Sequence, residues 1–244
     1  MGCRPSRYRL PADGSTRSLG KLQDNLVTAN NKHGADYDIS GDFGKQGFKK
    51  AQLRRYTKTE QTAGGVAIKL FNGKSTSTTD FKTEAAILGQ CDHPHIIKLF
   101  EITKVNNSLS LVLELCDGGN VLSRLPYKEL QVAKIMKQVC SAVSYMHGLN
   151  IVHRDIDCSN IMFTTPDKDS DVKLVDFGSA CELETVPDHP GAYKFLREKT
   201  GTLGIMAPEV VRGKYGPKAD VWSMGVCAYM LLNNGEAPFK GNAK

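Results

Sequence analysis

The stretch HRDIDCSN at residues 153–160 constrains the fold more than any other part of the sequence. It places an acid, Asp155, and an amide, Asn160, five residues apart, and a second acid, Asp157, lies between them. The apolar residues 161–163 that follow are typical of a short strand. The pattern indicates a loop that carries chemistry, and it leaves open whether Asp157 belongs to a working site or marks one that has lost its activity.

Four more motifs accompany this stretch in a fixed order. VAIK ends in Lys69 within a strand-like segment, and Glu84 lies on the helical segment that follows. DFG supplies Asp176, and APE occupies residues 207–209. Each motif is weak alone, but all five in order, each in its expected structural context, rarely arise by chance. From residue 37 onward the chain resembles a eukaryotic protein kinase.

The apolar residues predict strands in the first part of the chain and helices in the second. Strands are predicted at residues 37–43, 48–56, 64–71, 96–103 and 108–115, with a helix at 80–91. Later segments predict helices at residues 127–150 and 218–232 and strands at 161–163 and 172–175. The resemblance implies an α+β, bilobal protein kinase-like fold, with a β-rich N-lobe (37–116) holding one helix and a mainly helical, incomplete C-lobe (117–244). Residues 1–36 are polar and aperiodic and are predicted to form a flexible basic arm.

The resemblance also implies roles for the motif residues in phosphoryl transfer from ATP. Lys69 would hold the α- and β-phosphates, and Glu84 would fix its position. Asp176 and Asn160 would be Mg²⁺ ligands, because this hard cation prefers carboxylate and amide oxygens. Asp155 would accept the proton of the substrate hydroxyl. The implied cofactors are therefore ATP and Mg²⁺.

Further nucleotide contacts follow from the same resemblance. Ala67 and Met162 would enclose the adenine, and the hinge positions are Leu113, Glu114 and Cys116. The remaining ATP contacts are implied at Phe43, Gly44, Phe48 and Ala51. Two supporting roles are also implied. Arg154 would pair with an acidic or phosphorylated group of the activation segment, residues 176–209. Asp220 would anchor the backbone of the catalytic loop, residues 153–160.

Several stretches resemble calcium-dependent protein kinases more narrowly. They are CDHPHI, IVHRD and GTLGIMAPEV, together with the 16-residue spacing from Asn160 to Asp176. The resemblance implies that the substrates are Ser or Thr residues of proteins. Such kinases often carry a calmodulin-like tail, but no D-x-[DN]-x-[DN]-G pattern occurs in this sequence. The chain itself therefore gives no basis for predicting calcium control.

Four positions depart from the kinase pattern. Gln46 and Lys49 stand where glycines of the phosphate-binding loop belong, and only glycine lets the backbone approach phosphates without strain. Asn120 replaces the Glu of the usual GGE, which contacts ribose or basic substrate residues, so the resemblance does not by itself imply a preference for basic substrates. Asp157 replaces a lysine that touches the γ-phosphate. Reversing that charge exchanges an attraction for a repulsion of about 4 kcal/mol at about 4 Å separation.

The N-terminus predicts lipid attachment. MGCRPS fits the myristoylation pattern at Gly2, and Cys3 is a candidate for palmitoylation, with arginines close by. One acyl chain binds a membrane only marginally, and the palmitoyl chain on Cys3 would supply the second membrane signal. Seven scattered cysteines without a C-x-x-C pair are typical of reduced thiols in a cytoplasmic protein. The predicted partners are protein substrates, ATP and a membrane surface, and no nucleic acid.

The C-terminal end predicts incomplete packing, because the second lobe of the family continues for several helices. Trp222, Val226, Tyr229 and Leu232 are expected to lose packing, and Glu209 is expected to be a buried acid without a partner. Three functions stay open from the sequence: an active Ser/Thr kinase, a nucleotide-binding pseudokinase that acts as a scaffold, and an inert kinase fragment.

Overall fold

The computed structural model describes residues 65–71, 78–105, 108–187, 189 and 191–239, and for residues 37–42 and 48–53 the backbone alone. The predicted arm 1–36 lies outside the described residues, and so do Gly2, Cys3, Phe43, Gly44 and Gln46. Contacts divide the chain into two units, residues 1–92 with 98–115 and residues 93–97 with 116–244.

The first unit contains a five-stranded antiparallel sheet with the strand order β1-β2-β3-β5-β4. Its strands are β1 (Tyr37–Asp42), β2 (Phe48–Leu53), β3 (Val66–Phe71), β4 (Leu99–Val105) and β5 (Ser108–Glu114). The β-branched side chains of Val66, Ile68 and Val112 form a buried cluster in this sheet, and Leu70 and Phe100 pack against it. Such residues favour strands because their branched side chains pack well on a pleated surface.

The helix that the structure describes in the first unit is α1 (Thr78–Gln90). Phe81, Ala85 and Leu88 recur at helical spacing and are all buried, as the sequence predicted. The ring of Phe81 meets the ring of Phe71 on β3 edge-on, with 5.0 Å between their centroids. This contact fixes α1 beside β3, the strand that carries Lys69.

The second unit is mainly helical. Its longest helix is α2 (Glu129–Gly148), which buries Val132, Ile135, Val139, Ala142, Val143 and Met146. Leu130 belongs to the predicted apolar pattern but is 82% exposed, and Val132 takes the place on the buried face. The other helices are the short α3 (Pro208–Val211) and α4 (Lys218–Leu232), and two 3₁₀ turns span Val121–Arg124 and Cys158–Asn160.

Two small antiparallel pairs flank the loop at residues 153–160. β6 (Ile151–Val152) pairs with β9 (Cys181–Glu182), and β7 (Ile161–Phe163) pairs with β8 (Val172–Leu174). The loop therefore has a paired strand immediately before it and another immediately after it. These elements confirm the predicted α+β class, with strands concentrated in the first unit and helices in the second.

The structure corrects three details of the prediction. The strand expected from residue 96 begins at Leu99, because residues 93–97 cluster with the second unit, where Ile96 bridges to Leu174. Val226 was expected to lose packing, yet it is buried on α4. Glu209 was expected to be buried, but it is only half-buried. Trp222, Tyr229 and Leu232 are exposed, as predicted. Among the described residues, the helices are too short or too polar to cross a bilayer.

Candidate active site

In the first unit, an ion pair joins β3 to α1. Lys69 Nζ lies 2.7 Å from Glu84 Oε1 and 2.8 Å from Oε2, so the contact is bidentate. Glu84 is only 3% exposed. A carboxylate this deeply buried is costly unless it is paired with a charge or accepts hydrogen bonds. The pair predicted from VAIK and the following helix is therefore formed, and the ammonium group of Lys69 is held in one place.

The sheet register places several predicted nucleotide contacts beside Lys69. On one side, Phe48 and Ala51 of β2 lie opposite Lys69 and Val66 in the antiparallel register. On the other side, Leu113 and Glu114 of β5 lie opposite Ala67 and Val66. Only backbone positions are described for Phe48 and Ala51. Ala67 and Leu113 are buried.

In the second unit, Asp220 on α4 holds the catalytic loop by its backbone. Its two carboxylate oxygens accept hydrogen bonds from the backbone N–H of His153, at 3.0 Å, and of Arg154, at 2.9 Å. His147 Nε2 lies 2.8 Å from the same carboxylate. Asp220 is 1% exposed, so three donors offset the cost of burying its charge. This confirms the predicted anchoring role of Asp220.

The carboxylate of Asp155 lies between two side-chain donors. Thr202 Oγ1 donates to Asp155 Oδ1 at 2.8 Å, and Asn160 Nδ2 lies 3.2 Å from Oδ2. Asn160 Nδ2 also donates to the backbone oxygen of Asp155 at 2.9 Å. These contacts fix the direction of the carboxylate, which a general base needs in order to meet a hydroxyl proton.

The two predicted Mg²⁺ ligands are linked through the backbone. Val175 N–H donates to the carbonyl oxygen of Asn160 at 2.9 Å, and Asp176 is the next residue. Asp176 has a φ of +64°, a left-handed conformation that is uncommon for residues other than glycine and concentrates at functional sites. Asn160 is fully buried. One carboxylate and one amide oxygen suit Mg²⁺, which commonly completes its shell with water and phosphate oxygens.

No cluster of three or more His, Cys, Asp and Glu side chains suited to a metal occurs in the part of the chain that the structure describes. A cation held by Asn160 and Asp176 would need further oxygens from water or from a bound ligand. The donor chemistry of these residues fits that arrangement.

His153 packs the catalytic loop against the DFG motif. It is fully buried, and its ring meets the ring of Phe177 of the DFG motif edge-on at 4.9 Å. Burial lowers the pKa of His153, although the carboxylates of Asp220, Asp155 and Asp176 act in the opposite direction. The imidazole is therefore a neutral packing group that joins the catalytic loop to the DFG motif.

Arg154 connects the catalytic loop to the activation segment. Its Nη1 donates to Glu198 Oε2 at 2.8 Å, and its Nε donates to the carbonyl oxygen of Ser179 at 2.5 Å. A partner for Arg154 within residues 176–209 was predicted, and the structure identifies it as Glu198. Gly201 packs against the same residue, because a Cβ there would lie 2.7 Å from the carbonyl oxygen of Arg154.

Asp157 has a local role that the sequence did not reveal. Its Oδ1 accepts a hydrogen bond at 2.5 Å from the backbone N–H of Ser159, and so it caps the 3₁₀ turn Cys158–Asn160. The residue is 9% exposed. Aspartate is among the preferred capping residues because its oxygen satisfies a backbone donor at a helix start.

The remaining predicted contacts of the second unit lie near this loop. Met162 is half-buried on β7, where it pairs with Lys173 and bridges to Asn120. Cys116 is buried. Asn120 caps the 3₁₀ turn Val121–Arg124, since its Oδ1 accepts from the backbone N–H of Leu122 at 3.0 Å and of Ser123 at 3.1 Å.

Sequence reasoning missed two supporting residues, Thr202 and His147. Thr202 lies within the GTLGIMAPEV stretch, but no spacing rule shows that its hydroxyl reaches Asp155, 47 positions earlier. His147 lies in the last turn of α2, yet its contact with Asp220 spans 73 positions. Both contacts depend on the tertiary fold.

Comparison with known proteins gives a consistent result. Residues 49–244 match the protein kinase domain family. Calcium-dependent protein kinase 5 of Plasmodium berghei is 38% identical over 75% of this chain and 32% of its own length. Calcium/calmodulin-dependent protein kinase type IV of Homo sapiens is 40% identical over 62% of this chain and 32% of its own length.

CDPK-related kinase 3 of Arabidopsis thaliana is 30% identical over 98% of this chain and 40% of its own length. The chain spans about a third of the length of the first two relatives. The family match covers well over half of the chain. The chain therefore belongs to the protein kinase family and is similar to its calcium-dependent and calmodulin-dependent members.

Proposed function

We propose that the chain is an ATP- and Mg²⁺-dependent protein kinase that transfers the γ-phosphate to Ser or Thr residues of proteins. The observation that carries the proposal is the position of the Asp155 carboxylate, held between Thr202 and Asn160. Phosphoryl transfer to a hydroxyl group needs an oriented carboxylate that can accept the hydroxyl proton.

The other residues take positioning roles in this proposal. Lys69, fixed by Glu84, contacts the α- and β-phosphates through its ammonium group. Asn160 and Asp176 hold Mg²⁺, which neutralises charge on the phosphates when it is bound. Ala67, Leu113, Glu114, Cys116 and Met162 contact the adenine, and Phe43, Gly44, Phe48 and Ala51 the rest of the nucleotide. Asp155 takes the proton from the Ser or Thr hydroxyl as the hydroxyl oxygen bonds to the γ-phosphorus, while the bond between that phosphorus and the β–γ bridging oxygen breaks and ADP leaves.

A second candidate function is supported by Asp157. An acid at this position opposes the binding of the γ-phosphate, and its carboxylate is engaged with the backbone of its own loop. A nucleotide-binding pseudokinase that serves as a scaffold would tolerate this change. The intact Lys69–Glu84 pair and the oriented Asp155 favour the enzyme.

The test is the transfer of radiolabelled phosphate from Mg²⁺-ATP to a generic Ser/Thr protein. Wild type is compared with Asp155→Asn, which removes the base, and with Asp169→Asn, which makes the same change at an exposed loop position. We expect transfer by wild type and by Asp169→Asn, and a loss of about a hundredfold or more in Asp155→Asn.

Wild-type transfer no greater than that of Asp155→Asn would contradict the enzyme proposal. If Mg²⁺-dependent ATP binding still raised the melting temperature of that inactive wild type, the pseudokinase would be favoured. If ATP neither bound nor reacted, the result would favour the third function, an inert kinase fragment.

We also propose that the N-terminal segment attaches the chain to membranes from the cytoplasmic side through Gly2 and Cys3. The proposal is supported by the MGCRPS pattern and by Arg4, Arg7 and Arg9, whose charge suits an anionic lipid surface.

A further inference from the structure

Two neighbouring segments of the second unit carry an exposed basic surface, defined here as Arg197, Lys199, Arg212 and Lys214. The segments lie side by side because Leu196 and Tyr215 exchange both backbone hydrogen bonds, at 2.9 and 3.1 Å. The hydroxyl of Tyr215 adds a third bond, to the carbonyl oxygen of Glu198 at 2.6 Å. The four cations are consequently held on one ordered scaffold.

The first segment holds its two cations at the surface. Leu196 packs into the cluster of Ala207, Val210, Tyr215 and Ala219, which fixes the segment in place. The three residues that follow are all exposed: Arg197, then Glu198, whose side chain is 71% exposed and pairs with Arg154, and then Lys199.

The second segment brings its cations close to the first. A Cβ at Gly213 would lie 3.9 Å from Lys199 Cε, so Lys199 lies along residue 213. Lys214 Nζ lies 4.7 Å from the centroid of the Phe195 ring. Lys214 therefore neighbours Phe195, and Gly213, which lies between Arg212 and Lys214, neighbours Lys199. Arg212 and Lys214 are both exposed.

Little negative charge offsets this surface. Residues 191–218 contain six basic and two acidic residues. Of the two acids, Glu198 is paired with Arg154, and Glu209 is half-buried. Within the described ranges, no carboxylate forms a salt bridge with any of the four cations of the basic surface. The surface thus attracts carboxylates from outside the chain.

The basic surface also lies close to the proposed reaction centre. Lys199 precedes Thr202 by three residues, which span at most about 11 Å even when fully extended. Thr202 in turn donates to Asp155. A protein segment that presents a hydroxyl to Asp155 therefore passes within reach of Lys199 and Arg197.

We propose that the basic surface binds an acidic stretch of the protein substrate beside the phosphorylated Ser or Thr. The inference rests on the proposed kinase activity and names its substrate class. Asn120 is a second argument for an acidic substrate. Its side chain is a neutral amide that caps its own turn, so it supplies no negative charge to attract a basic substrate.

The first experiment measures binding without chemistry. Fluorescence anisotropy at low salt compares labelled acidic, neutral and basic peptides of equal length that carry Ala at the acceptor position. The double variant Arg197→Gln/Lys199→Gln is compared with Lys137→Gln/Lys168→Gln, which removes two exposed cations elsewhere. We expect wild type to bind the acidic peptide most tightly, with an affinity that falls as salt rises.

Removing two cations of the basic surface should weaken binding of the acidic peptide about fivefold, since each exposed ion pair contributes modestly. The control variant should bind as wild type does. Tighter binding of the basic peptide, or an equal loss in both double variants, would overturn the proposal. Retained peptide affinity together with lost binding to anionic lipid vesicles would assign the surface to a membrane and overturn it too.

A second measurement separates this inference from the proposed function. The same peptides with Ser at the acceptor position are tested for phosphate transfer. Preferential binding of the acidic peptide without any transfer would contradict the kinase activity and leave the basic surface as an acidic-peptide site. Transfer with preference for the basic peptide would support the kinase and overturn the inference.

Discussion

Asp157 combines a structural and an electrostatic effect in one carboxylate, and two substitutions separate them. Asp157→Asn keeps an oxygen that can accept from Ser159 N–H, because Asn caps as well as Asp does, whereas Asp157→Ala loses the cap. We expect Ala, but not Asn, to lower the free energy of unfolding by about 1 kcal/mol. Urea denaturation measures the difference, and equal stabilities of the two variants would contradict the capping role.

The same variants test the charge. Asp157→Asn removes the negative charge that opposes the γ-phosphate, so phosphate transfer should rise about tenfold or less, since the full Coulomb energy is rarely realised. Asp157→Lys should also raise transfer, although it loses the cap. Steady-state kinetics on a Ser-containing protein give the comparison. A fall in transfer by the Asn variant would show that Asp157 does not repel the nucleotide.

The buried His153 predicts a dependence of stability on pH. Burial lowers the pKa of His153 below its usual value of 6.5 in the folded chain, whereas the unfolded chain titrates near that value. As pH falls through about 6.5, the unfolded state therefore binds more protons and the folded state loses stability. Urea unfolding of wild type and His153→Leu at about pH 7.5 and about pH 5.5 measures this effect.

We expect wild type to lose more stability than His153→Leu over this interval. The pKa of His93 is also lowered by burial, but His93 is present in both proteins, so the difference between them isolates His153. An equal loss in the two proteins would mean that His153 is protonated as easily in the folded chain as in the unfolded one.

At the scale of elements, the backbone of the activation segment comes close to the backbone of the catalytic loop at Gly201. Gly201 has a φ of +115°, and a Cβ there would lie 2.7 Å from the carbonyl oxygen of Arg154. Gly201→Ala should push the segment away from the catalytic loop and cost about 1–3 kcal/mol in strain. Because Thr202 is the next residue, the hydrogen bond to Asp155 should weaken and phosphate transfer should fall.

Gly191→Ala is the matched control. Gly191 also has a positive φ, +79°, but a Cβ there meets nothing within 4 Å. We therefore expect a smaller loss of transfer from Gly191→Ala than from Gly201→Ala in the same kinetic assay. Similar losses would indicate that backbone conformation alone, rather than contact with Arg154, limits position 201.

The elements show how far the sequence could predict the structure. The bounds of α4 (Lys218–Leu232) and of β7 (Ile161–Phe163) agree with the prediction, because their apolar residues mark the segments clearly. The two-residue strands β6 and β9 were not predicted, since two residues carry no periodicity. The strand expected at residue 96 started too early because tertiary contacts draw residues 93–97 into the second unit.

The candidate site divides in the same way. Lys69, Glu84, Asp155 and Asn160 were identified from motifs, and the structure joins them in two pairs. The contact of Thr202 with Asp155 and the cap formed by Asp157 were not identified. Their geometry depends on how the chain folds back on itself, which residue spacing does not encode.

At the scale of the whole molecule, the two pairs belong to different units, so their effects on kinetics should be separable. Glu84→Gln leaves the ammonium of Lys69 without its bidentate partner, and we expect a higher KM for ATP as well as a lower kcat. Asp155→Asn should lower kcat with little change in the KM for ATP, because a base acts in the transition state rather than in nucleotide binding. Steady-state kinetics with varied ATP distinguish the two patterns.

Membrane attachment is the prediction that concerns the whole chain. One myristoyl group binds a membrane only marginally, and a second signal makes attachment stable. Gly2→Ala should therefore release the protein into the soluble fraction, while Cys3→Ser should release part of it. Gly14→Ala, a glycine change within the same segment, should leave the distribution unchanged. Fractionation of cells that express each variant measures the outcome, and a membrane fraction that persists undiminished in Gly2→Ala would show that acylation at Gly2 does not anchor the chain.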